Sequence, residues 1–175
     1  MHRVRQFLVG PVLLGILVAL TGCTYRAALQ RLSPEEQVMF RIYSKGMTSG
    51  QAHTYLRQAT AAERAAYLEH LGLAQRFQAL SPWDREAVLS GFPRQGISAD
   101  ALRFLWGEPY YTRGSVRHAA HWHYLGSPFT LVASGNQHGQ LGTMVDVYIL
   151  EGRVAWWQEY VPSIIEDGGN DCVGC

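Results

Sequence analysis

Two histidines set two residues apart, His121 and His123, are the side chains of this sequence best spaced to hold a metal. On an extended strand both project from one side and Trp122 from the other, so their imidazoles could share an ion. No carboxylate falls at a recognised metal-motif spacing from them, so a third ligand is sought in His118 or His138. The alternative is a solvated strand face that binds nothing. Cys172 and Cys175 form a Cys-x-x-Cys pair, which in an oxidising compartment is expected to close a small disulfide. Thioredoxin-type chemistry needs a helix beginning at the thiolate, and haem attachment needs a histidine directly after the second cysteine. Neither is written after Cys175.

Cys23 has a different chemistry in prospect. Basic Arg3 and Arg5 precede an apolar run from Phe7 to Leu20, and Leu20-Thr21-Gly22-Cys23 follows. That order predicts a secretory signal over 1–22 ending in a bacterial lipobox, whose cysteine takes a diacylglycerol and an N-acyl chain. No other cofactor is expected. The run falls short of the roughly 20 apolar residues of a membrane span and is broken by Gly10, Pro11 and Gly15. The lipid is the expected tie to the membrane. With Thr24 rather than Asp after the cysteine, the expected address is the outer membrane, facing the periplasm; the inner membrane is the alternative.

Beyond residue 22 the chain has 153 residues, with thirteen lysines and arginines against fourteen acids. That length can bury one core. No basic block or stripe is present to recruit nucleic acid. Nor is there a Gly-x-Ser-x-Gly elbow, a phosphate-binding glycine loop or a His-Glu-x-x-His helix, so the expectation is a protein without catalytic residues.

The elements that would position these side chains come in two blocks. Ser33-Pro34-Glu35-Glu36, Thr48-Ser49-Gly50-Gln51 and Thr60-Ala61-Ala62-Glu63 follow the capping-box pattern, and Ser81-Pro82-Trp83-Asp84 is a close variant. Four short helices are predicted between Ser33 and Gly91. In the third, Ala61, Ala65, Leu68 and Leu71 form the expected core stripe, with Glu63, Arg64 and Glu69 in water. From Ala119 the period shifts toward two. Strands are predicted over Ala119 to Leu125, Met144 to Leu150 and Val154 to Val161, the last two joined by a Glu151-Gly152 turn. The stretch from Gly126 to Gly142 is expected to be a loop, either functional or a plain connection.

Between the blocks, Gly96-Ile97-Ser98 starts a helix that Gly107-Glu108-Pro109 stops. Ser98 is the expected cap, Ile97 can staple onto Leu102, and Leu102, Leu105 and Trp106 share one face. With Trp122-His123-Tyr124 following, this arrangement resembles the signature of the SmpA/OmlA family, small outer-membrane lipoproteins of β-barrel assembly, over about residues 96–161. The resemblance rests on Gly96, Ser98, Gly107, Pro109, Trp122 and Tyr124. It implies an α+β fold in two layers, a helix on a three-stranded antiparallel sheet, and a binding or scaffolding role without catalysis. The helical block is far longer than the family's N-terminal segment. Gly46-Met47-Thr48 repeats the start of the signature but not its Gly-x-Pro, and reads as convergence on helix capping.

The expected organisation is a signal over 1–22, an anchor and linker over 23–32, helices over 33–95, an α+β domain over 96–162 and a Gly/Asp-rich tail over 163–175. The expected partners are envelope proteins, among them outer-membrane assembly components. Tyr110, Tyr111, Trp156, Trp157 and Tyr160 are the expected contact residues, although one of Trp156 and Trp157 must face inward. Two alternatives stand beside this reading: a metal- or thiol-sensing lipoprotein, and an inhibitor-like module that inserts the 126–142 loop into another protein's cleft.

Overall fold

A computed structural model describes residues 25–134 and 143–161, which form a mixed fold of helices and a four-stranded antiparallel sheet. Cys23, His138, Cys172 and Cys175 lie outside the described residues. No helix among the described residues is long and apolar enough to cross a membrane. The chain divides into two compact units between Ser81 and Pro82, one helix before the boundary at 95/96 that the motif suggests.

In the first unit, residues 25–30 are helical, and then come α1 (Pro34–Tyr43), a 3-10 turn (Ser44–Gly46), α2 (Ser49–Arg57), α3 (Ala61–His70) and α4 (Leu73–Gln78). Ser33, Thr48 and Thr60 each accept the N3 backbone N–H while the N3 Glu or Gln answers the cap, so all three capping boxes form. Helix α4 was not among the four helices expected. It starts from Gly72 in a left-handed conformation (φ 69°), with no hydroxyl to mark it. Phe40 stacks on Tyr55, and Tyr43 meets Phe77 edge-on, inside a core that includes Leu56, Leu68 and Leu73.

The core stripe of α3 needs correction. Ala61 and Ala65 are exposed and Arg64 is buried. Its Nε and Nη2 both donate to Glu36 Oε1, at 2.9 and 2.7 Å, and Nη1 donates to the Gln58 carbonyl at 3.0 Å. Alanine's small apolar surface gains little from burial. A guanidinium that makes three hydrogen bonds to two acceptors can bury its stem as well as its charge. Glu36 also accepts the Ser33 N–H; this bond first, and Arg64 second, hold its carboxyl below the ordinary range.

The second unit holds α5 (Pro82–Ser90), α6 (Ala99–Trp106), β1 (Tyr111–Gly114), β2 (Ala119–Leu125), α7 (Pro128–Ser134), β3 (Met144–Leu150) and β4 (Arg153–Tyr160). The strands lie in the order β1-β2-β3-β4, so the sheet has one strand more than the three expected. Strand β1 is four residues long and exposed throughout, and so lacks the alternation that betrays a half-buried strand. At Gly114 (φ 85°) a Cβ would collide with the Ala119 carbonyl, so glycine is required where β1 turns into β2. The expected loop at 126–142 is also corrected: its first half contains α7, anchored by a fully buried Leu131, and 135–142 lie outside the described residues.

One face of the sheet is core. Ala120, Trp122 and Tyr124 of β2, with Val145, Val147 and Ile149 of β3, are buried there alongside Leu102, Leu105 and Trp106 of α6. Trp106 meets Tyr124 and Trp157 edge-on, and the Tyr124 hydroxyl donates to the Gly107 carbonyl at 3.3 Å. Ser98 caps α6 by accepting the Ala101 N–H. Gly96 and Ile97 exchange backbone hydrogen bonds with Val154, which ties the start of α6 to β4. The signature residues thus serve the frame: Gly96 (φ 84°) and Gly107 (φ 82°) take backbone conformations open to glycine, while Trp122 and Tyr124 fill the core.

Candidate functional site

The second face of the sheet carries the chemistry. Alternation along β2 sends His121 and His123 outward, both half-buried, because Ala120, Trp122 and Tyr124 take the core side. In β3, Val145, Val147 and Ile149 point inward and leave Asp146 and Tyr148 on the outer face. The register places His123 directly opposite Asp146 and His121 opposite Tyr148. Pairing with β4 sets Trp156 opposite Tyr148 and Gln158 opposite Asp146. An irregularity between Tyr148 and Ile149 leaves Ala155 outside the register, so Val154 and Trp157, three apart, both reach the core side while Trp156 faces out.

Two arrangements result on this face. The first is a chain of rings: Trp156 stacks on Tyr148 (3.9 Å, 13°), Tyr148 on His121 (4.2 Å, 17°), His121 lies 4.1 Å from His123, and His123 lies 5.4 Å from Tyr111. Its ends are open, Tyr111 being 55 % and Trp156 41 % exposed. The second is the group around Asp146. His123 Nδ1 sits 2.7 Å from Asp146 Oδ1, and His121 Nε2 sits 3.4 Å from Asp146 Oδ2. The Tyr160 hydroxyl donates to Oδ1 at 3.4 Å; burial first, and the facing carboxylate second, raise its pKa. His121 Nε2 is buried with no hydrogen-bond partner of good geometry. His121, His123 and Asp146 each offer one ligand atom, all within 4.8 Å of one another.

The structure therefore brings together the two histidines read from the sequence and replaces the third ligand sought there. His118 is exposed in the β1–β2 turn, where its backbone bonds to Ser115 and Glu151, and takes no part in the group. Asp146 was missed because it enters from another strand, after a connection whose length says nothing about register. The available signal was an acid between two valines in an apolar strand. Of the expected contact aromatics, Tyr110, Tyr111 and Trp156 are exposed, Trp157 turns toward Trp106, and Tyr160 is engaged with Asp146. No protein-family model, curated protein or solved structure matches this chain.

Proposed function

We propose that this chain is a lipid-anchored envelope lipoprotein without catalytic machinery, which binds a protein partner through the outer face of its sheet. The observation that carries the reading is the ring chain open at both ends, Tyr111 and Trp156. Rings already stacked on their neighbours lose little rotamer freedom on binding, the property that makes tyrosine and tryptophan effective anchors. The lipobox-like order at Leu20-Thr21-Gly22-Cys23 supports the anchor, and the likeness of 96–161 to the SmpA/OmlA signature favours outer-membrane assembly components as partners.

Crosslinking and pull-down from the native envelope test this, comparing wild type with Cys23→Ala, Trp156→Ala and Tyr111→Ala. Recovery of assembly components by wild type, reduced in both ring variants at unchanged melting temperature, is the expected result. Equal recovery by the ring variants would move the contact off this face. Recovery of no assembly component would remove the family from the reading.

A further inference from the structure

We infer that His121, His123 and Asp146 form a binding site for a divalent first-row transition metal of the zinc type. In a tetrahedral zinc site with bonds of about 2.0 Å, ligand atoms lie ~3.3 Å apart. His121 Nε2 stands 3.4 Å from Asp146 Oδ2 and His123 Nδ1 2.7 Å from Asp146 Oδ1, so the two imidazoles face different oxygens of one carboxylate; with one ligand atom taken from each residue, all three lie within 4.8 Å of one another, and a shared ion has to draw the widest pair inward. A buried ring nitrogen without a partner is costly, and a metal bond to His121 Nε2 would satisfy it.

The surroundings also suit a metal. His121 is held by stacking on Tyr148, and Asp146 accepts a bond from Tyr160, the kind of outer support that orients metal ligands. Two imidazoles and one carboxylate disfavour calcium and magnesium, which require oxygen, and follow the usual order in which copper(II) exceeds zinc. Three protein ligands leave a fourth position for water or an exogenous ligand on the open face. This inference stands apart from partner docking and survives if the ring chain contacts nothing.

Zinc(II) titration of the mature chain with Cys172 and Cys175 replaced by serine tests it, since those thiols could bind zinc themselves. One equivalent should bind, His118→Ala should leave binding unchanged, and Asp146→Asn should weaken it by more than about tenfold. Should Asp146→Asn fail to fold, the side-chain nitrogen resonances of the parent chain decide: zinc should shift those of His121 and His123 and leave His118 in place. Lack of saturable binding, an Asp146→Asn affinity equal to the parent's, or a shift confined to other histidines would overturn the site.

Discussion

At the scale of single residues, the fold favours the charge of half-buried Glu36 and disfavours the charge of buried Lys45. Glu36 is held ionised by the Ser33 N–H and by Arg64, so its pKa is lowered in the fold. Its contribution is present above its unfolded pKa of about 4.3 and disappears as pH falls through the lowered folded value. The stability gap between wild type and Glu36→Gln, from denaturant melts, should therefore shrink between pH 5 and pH 3. Arg64→Met removes three hydrogen bonds and leaves Glu36 short of a partner, with an expected loss of about 1–3 kcal/mol at neutral pH. Lys45 is the opposite case. It is 8 % exposed, and burial first, then the Arg41 charge, lower its ammonium pKa to about 8. The unfolded chain binds the extra proton between pH 8 and its ordinary value near 10.5, so stability rises with pH in that window. Melts of wild type and Lys45→Met from pH 7 to 10 should show wild type gaining on the variant as pH rises; parallel curves would place the Lys45 charge in water.

At the scale of elements, what matters is how α6 is bounded. Ser98 accepts the Ala101 N–H, so Ser98→Ala should cost about 1 kcal/mol. Gly107 ends the helix at φ 82° and ψ −166°, a region that is essentially glycine's alone, and Gly107→Ala should cost about 1–3 kcal/mol. Both are read from denaturant midpoints. If Gly107→Ala were neutral, the turn would have relaxed and the Tyr124 hydroxyl would have lost its carbonyl. The β3–β4 turn uses the same device twice, with Glu151 (φ 51°) and Gly152 (φ 79°) both left-handed, as a tight two-residue hairpin demands. Helices α4 and α7 lie at the other extreme. Neither carries a hydroxyl-and-acid start in its sequence, and buried Leu73 and Phe77 in α4 and Leu131 in α7 supply their tertiary anchors.

At the scale of the whole molecule, the proposal separates address from contact. Wild type should carry acyl chains and lose residues 1–22, whereas Cys23→Ala should carry no acyl chains and keep its signal; mass and acyl-chain detection on both check it. A wild-type chain without acyl chains would end the lipid-anchor proposal. The proposed contact surface, by contrast, depends on folding. Trp156 and Tyr111 become two ends of one surface only when β1, β2, β3 and β4 align, because the rings sit on the two edge strands with β2 and β3 between them.

What the sequence determined by itself is what short-range chemistry decides. Ser33, Thr48, Thr60 and Ser98 mark helix starts because each cap bonds an N–H three residues away. His121 and His123 share a face because side chains on a strand alternate. Tertiary structure alone decided the rest. Asp146 meets those histidines through the pairing of His123 with Asp146, and a slip of one residue would have sent it into the core face among the valines. Arg64 is buried because α1 brings Glu36 within 2.7 Å, an acceptor 28 residues away that no helical period encodes. Local hydrogen bonds are written in neighbouring letters, whereas the choice of neighbour across a sheet or between helices is made by the burial of the opposite faces.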